Sequence, residues 1–193
     1  MRWSSALLLA AAVGVTAGSA AAEQIFNRIA SFPVPMNLPA DMDQATATSA
    51  EIVAASEDGM TLVYTDSPLG AVGFIDITDP KAPAPGGIVK LEGEPTSVAV
   101  AGGKAFVGVN TSESYTEPSG HLAVVDIAAK SATPTCDLGG QPDSVAISDD
   151  GAMLAVAIEN ERDEDLNDGV IPQLPAGHVV IIPIADGAPT ARA

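Results

Sequence analysis

From about residue 50 onward the chain alternates short apolar runs with clusters of Gly, Pro, Asp and Ser. Inside runs such as TLVYTD, AFVGV, MLAVAI and VVIIPI the residues are β-branched or small, and the runs are strand-length. No segment holds the 3.6-residue apolar spacing of an amphipathic helix, so the pattern predicts an all-β chain of short strands joined by tight turns.

The runs recur in a fixed order. LEGEPTSVAV (Leu91 to Val100) returns 47 residues later as LGGQPDSVAI (Leu138 to Ile147), a Leu-x-Gly-x-Pro-x-Ser turn leading into an apolar strand each time. A second strand follows, AFVGV or MLAVAI, then a polar loop ending in Pro-x-Gly-His at Pro118 to His121 and Pro175 to His178, then a third strand, LAVVDI or VVIIPI. An earlier copy, EIVAASEDGMTLVYTDSPLGAVGFIDITDP, places Ala71 where the others have histidine and adds a fourth strand in GGIVKLEG, matched by TPTCDLGG in the second copy. Four short strands per repeat of about 47 residues predict β-propeller blades. The chain divides into a lead-in segment, 23–48, and three blades at 49–95, 96–142 and 143–193.

Closed rings usually need four to eight blades. Three blades, the last reaching its outermost strand only near Arg192, lead to the expectation of an N-terminal part of a longer protein, with its remaining blades or domains as first partners. Alone, it would present an apolar blade face at each end and an unpaired strand edge.

Residues 1–22 change the compartment. A basic Arg2, an apolar run from Ala6 to about Ala17 and a small-residue end at Ala20–Ala22 predict a secretory signal peptide, too short to span a bilayer. No later stretch is apolar over 18 residues, so the sequence predicts an exported chain, periplasmic or extracellular, with no membrane span after the signal. Without Arg2 there are seven basic residues against 25 acidic ones. Such a surface repels phosphate backbones, which argues against nucleic acid as a partner and in favour of cations. The single Cys136 excludes an intrachain disulfide and sits in a strand-like context.

Candidate chemistry follows from blade geometry. The turns entering the first strands and the loops joining second to third strands share one rim, which gathers Glu94, Asn110, Glu113, Glu117, Asp143, Glu159, Glu161, Asp163, Asp165 and Asp168 against Arg162 alone. Oxygen-rich clusters suit Ca2+, which takes six to eight oxygen ligands. ENERDEDLNDG supplies Glu159, Glu161, Asp163, Asp165, Asn167 and Asp168, and Asp163-x-Asp165-x-Asn167 has the spacing that opens a calcium loop. Asp168 at the sixth position and Leu174 at the twelfth break the EF-hand pattern, leaving two readings: a looser cation site or a solvated acidic loop. Its length argues for a role of some kind.

His121 and His178 stand at equivalent positions beside this rim, where repetition favours a structural role such as bonding a neighbouring turn; a shared metal or acid–base work is the sharper reading. Ser97 and Ser144 lie at the repeated turn with no Gly-x-Ser-x-Gly elbow, so their hydroxyls are expected to bond backbone. Asp76, Asp79 and Asp126 read as turn formers.

The first copy, the paired turns GEPTSVAV and GQPDSVAI, and the stretch IENERDEDLNDGVIPQLPAG resemble exported bacterial propeller proteins of the choice-of-anchor I type, and are also similar to the esterase-like activity of phytase family. The resemblance runs from about Glu23 to Pro189 and implies a propeller in a longer exported protein. In the esterase-like members it implies an ester or phosphoester hydrolase, although no catalytic motif maps onto these residues. Three functions are therefore expected in turn. The first is a binding or interaction module with a Ca2+ site on its acidic rim. The second is part of a metal-assisted hydrolase acting on a small ester, in which rim cations polarise a phosphoryl oxygen. The third is a structural cell-surface protein with a surface partner.

Overall fold

The computed structural model describes residues 27–190; the expected signal peptide lies outside them. Twelve strands follow in order: β1 Val53–Ala55, β2 Thr61–Asp66, β3 Ala71–Asp76, β4 Ala84–Lys90, β5 Glu94–Ala101, β6 Lys104–Asn110, β7 Gly120–Asp126, β8 Ser131–Asp137, β9 Pro142–Ile147, β10 Met153–Ile158, β11 His178–Ala185 and β12 Ala188–Pro189. They form three four-stranded antiparallel meanders, β1–β4, β5–β8 and β9–β12, each a blade with its strands in chain order. The all-β, four-strands-per-repeat architecture of a β-propeller is thus present, with three blades packed in succession.

Face-to-face packing of the sheets makes the core. Val63, Val72 and Phe74 of the first blade meet Val98, Val107 and Val125 of the second. Phe106 and Leu122, on the opposite face of the second, meet Val145, Leu154, Val156 and Ile182 of the third. Strand alternation sends consecutive side chains to opposite interfaces, so the middle blade contributes to both. Each such side chain, fully buried, contributes about 1.5–3 kcal/mol.

The repeated turn has a structural meaning that its sequence only hinted at. Pairing between β5 and β6 passes from Pro95–Val109 to Ser97–Gly108, and between β9 and β10 from Pro142–Ile158 to Ser144–Ala157. Thr96 and Asp143 are therefore the extra residues of equivalent β-bulges, which turn each first strand into the sheet. The glycine of Pro-x-Gly-His is fixed by packing: a Cβ on Gly120 would stand 2.7 Å from the Gly140 carbonyl and 2.8 Å from that of Val109, and one on Gly177 would stand 2.7 Å from the Ile158 carbonyl. Asp76, Asp79 and Asp126 accept from the backbone N–H of Thr78, Lys81 and Ala129 at 2.9, 2.9 and 2.7 Å, the turn-forming role expected of them.

Two features depart from expectation. The outermost strand of the third blade begins at Ala188, earlier than the Arg192 that alignment of the repeats suggests, because Thr190 N–H bonds Pro183 and closes a tight Asp186–Gly187 hairpin. The segment before the blades is also more than a lead-in. A 3-10 turn at Val34–Asn37 lies on β3 and β4 and buries Asn37. The Asn37 amide donates to Tyr64 Oη (3.0 Å) and the Phe74 carbonyl (2.8 Å), and its oxygen accepts from Gly86 and Gly87 N–H (3.0 and 3.1 Å). With Leu38 packed near Leu69, Ala71 and Ile88, this segment covers the outer half of the face that blade one turns away from blade two.

Candidate functional site

The rim forms where β5 begins, β6 ends and the long loops return. Glu94 opens β5 opposite Asn110, the last residue of β6. Between the second and third blades these two line a cavity of about 380 Å³ with Glu113, Tyr115, Gln141 and Glu161. Three carboxylates, two amides and a phenol face it, and no basic residue does. Glu94 and Gln141 are the same position in successive repeats, the x of Leu-x-Gly-x-Pro.

Gln141 builds the third-blade wall. Its Nε2 donates to Glu161 Oε2 at 2.7 Å, its Oε1 accepts from Glu161 N–H at 3.3 Å, and its own N–H donates to Asn160 Oδ1 at 3.0 Å. Asn160 takes a left-handed φ of 51° and bonds the Ala176 carbonyl at 3.2 Å, drawing the two ends of the long loop together. Sequence reasoning did not single out Gln141 and Asn160. The signal was available, since Gln141 replaces Glu94 in the repeat.

Of the acidic loop, Glu161 alone lines the cavity. The remainder closes on itself. Gln173 accepts from Asp163 N–H (2.8 Å) and donates to the Asp163 carbonyl (2.9 Å), while Asp163 Oδ1 accepts from Asp165 N–H at 2.9 Å. Asn167 and Asp168 sit at φ 52° and 56° within the turn Leu166–Gly169, and Arg162 reaches Glu164 and the Gly169 carbonyl, each at 3.4 Å. Glu159 is exposed and bonds the Gln141 carbonyl through its N–H. Among the described residues no three His, Cys, Asp or Glu side chains are grouped to hold a metal ion. Asp143, exposed on its bulge, is not among the residues lining the cavity.

The two histidines differ despite their equivalent positions. His178 is exposed opposite Ile158. His121, paired with Val109 and Asp137, is half-buried, and its Nε2 is buried with no hydrogen-bond partner. Burial holds its pKa below the usual histidine range, with Glu92 and Asp137 pulling the other way. It faces a separate cavity of about 400 Å³ that it shares with Thr111, Thr135, buried Cys136 and Asp137. Ser97 accepts from Val145 N–H at 3.1 Å, the backbone role expected of it, whereas Ser144 is exposed.

Comparison with known proteins now adds a family. The sequence profile of the Choice-of-anchor I domain matches residues 51–193. The chain belongs to that family. This choice-of-anchor I domain is accordingly a β-propeller-like module of an exported or cell-surface protein, and none of its described helices is long and apolar enough to cross a membrane. No curated protein is similar enough to count as a match. Among solved structures, Kuenenia stuttgartiensis hydrazine synthase superposes over 74% of this chain and 36% of its own, with 19% identity and a TM-score of 0.54. A luciferin-regenerating enzyme covers 74% of this chain and 47% of its own at 18% identity and a TM-score of 0.49. The chain thus spans less than half of either, and the hydrazine synthase likeness concerns the fold alone.

Proposed function

We propose that this domain is a binding module of its exported protein, and that it meets a cationic ligand in the rim cavity between the second and third blades. The supporting observation is the convergence of Glu94, Glu113 and Glu161, with the amides of Asn110 and Gln141, on one cavity that no basic side chain lines. Carboxylates lining one cavity concentrate cations, and because the three are not grouped to chelate an ion as they stand, a bound Ca2+ would have to draw them together with the amide oxygens. Binding there would tie blade two to blade three, because Glu94 and Glu113 come from one and Glu161 from the other.

Calcium titration with a thermal melt tests this. A ligand that binds only the folded state raises Tm by mass action. The expected result is a calcium-dependent rise that Glu94→Gln with Glu161→Gln abolishes and Asp163→Ala with Asp165→Ala leaves intact. A rise lost in the second pair instead would move the site into the long loop, and no rise at all would sink the calcium reading. Turnover of a small ester or phosphoester in the same samples would favour the hydrolase role over simple binding.

A further inference from the structure

Blade one breaks the repeat at one buried position. Asp66 pairs with Ala71 as Val109 pairs with His121 and Ile158 with His178, so the second strand of blade one carries an acid where blades two and three carry apolar side chains. Val109 and Ile158 are buried, and Asp66 is buried with them at 1% exposed. Aspartate is almost never fully buried unless its charge is paired.

The partners of Asp66 satisfy half of its carboxyl. Oδ1 accepts the Ser49 N–H at 2.9 Å and the Leu69 N–H at 3.2 Å, which joins the stretch entering blade one to the turn between β2 and β3. Oδ2 is buried and has no hydrogen-bond partner; an atom already covered cannot be reached by whatever else adjoins the blade. Three ionisable groups face the carboxyl. Glu51, on the entering stretch, opposes its charge, and Tyr64 lies two residues back on the same side of β2. Lys90, across Ala71 on β4, favours the charge, but its ammonium bonds the Leu69 carbonyl, and no ion pair joins it to Asp66 among the described residues. Burial outweighs the favourable contacts and holds this carboxyl above the usual aspartate range.

Opening at this point would be local. No residue from 39 to 50 is buried, and the hydrogen bonds of residues 39–48 stay within that stretch. The Ser49 N–H bond to Asp66 is therefore the first hydrogen bond that fastens the chain to blade one after the Asn37 clamp. Stretches with so few buried contacts open at a small fraction of the global stability.

We propose that Asp66 is a proton-operated latch: with its carboxyl neutral it fastens the entering stretch to the β2–β3 turn, and loss of the proton as the pH rises loosens that stretch while the blades stay folded. A neutral carboxyl keeps both N–H bonds at Oδ1, whereas an ionised one adds a buried charge that is bonded on one side only, at much greater cost. The opened group titrates at 3.8 and the latched group higher, so the latch has its full strength below pH 3.8 and weakens as the pH rises through the latched value.

Hydrogen exchange of the full chain over pH 3.5–8, expressed as protection factors, tests the latch. Protection of the Ser49 and Leu69 amides should fall as the pH rises, about tenfold for each unit by which the latched carboxyl titrates above 3.8, while β5–β8 keeps its protection. Asp66→Asn, neutral at every pH, should make the protection of both amides independent of pH. Carbon-13 NMR titration of the Asp66 carboxyl in the unsubstituted protein needs no variant and should give a midpoint above 3.8. A midpoint at or below 3.8 overturns the proposal, as does protection that is level with pH or that falls equally in Asp66→Asn. Parallel loss of protection in β5–β8 overturns it as well, because the whole stack would then be opening.

Discussion

Ser97 Oγ accepts the backbone N–H of Val145 across 3.1 Å, joining the first strand of blade two to the first strand of blade three. Ser97 is 5% exposed, so the N–H it serves has no water to turn to. Ser97→Ala should cost about 1–3 kcal/mol, the penalty for leaving a buried donor unmade. Chemical denaturation checks this through a lower midpoint at unchanged slope, and a neutral outcome would mean that water replaces the hydroxyl.

Gly120 and Gly151 separate steric from conformational demand. At Gly120 a Cβ meets the carbonyls of Val109 in blade two and of Gly140 in the turn leading to β9, at 2.8 and 2.7 Å, and also overlaps Pro142, none of which is a flexible tip. Gly120→Ala should therefore lower stability by roughly 2–3 kcal/mol through forced displacement of the blade. Gly151, at φ +69° in open space, asks only for a left-handed backbone, and Gly151→Ala should cost about 1 kcal/mol. Thermal melts of the two variants should rank in that order.

Asn37 clamps the lead-in to blade one through four hydrogen bonds, two given and two received. Asn37→Ala strands the Phe74 carbonyl and the Gly86 and Gly87 N–H groups, at a cost of about 2–4 kcal/mol. Hydrogen exchange should accelerate at Gly86 and Gly87 while β5–β8 stays protected. Uniform acceleration would instead mean that the segment holds the whole stack.

His121 sets a pH dependence with a definite sign. Its folded pKa lies below the unfolded value of 6.5, first because of burial, so the unfolded chain binds the proton more readily. Its contribution to stability is complete above pH 6.5 and is lost as the pH falls through the lowered folded value. His121→Phe should flatten the melting temperature over that acid window and leave it otherwise little changed. A histidine variant with an unaltered pH profile would assign the acid limb to other groups.

Much of this fold was legible in the chain. LEGEPTSVAV and LGGQPDSVAI specified strands of matching register, since the apolar alternation places Val98 and Val145 on the same side of their sheets. Pro-x-Gly-His marked the entry to the third strands of blades two and three, and the turn aspartates bonded N–H groups two or three residues away. The site was read less well. Glu94, Glu113 and Glu161 line one cavity, but Gln173 holds the Asp163 backbone and the Asp163 carboxylate accepts the Asp165 N–H, partnerships that charge counting does not reveal.

The sequence by itself determined the strands, their repeat and the strongly acidic surface, because period-two patterning and turn chemistry are local properties that each copy states again. Tertiary structure decided what those copies do to one another. It made Thr96 and Asp143 bulge residues, gave Gln141 a place in the cavity wall, and buried the Nε2 of a half-buried His121 while exposing His178. It also laid Asn37 over the outer half of blade one. The physical reason is that equivalent residues in a repeat share a backbone but not a neighbour: Leu122 is buried against the third blade, while the equivalent Val179 is 62% exposed among the described residues.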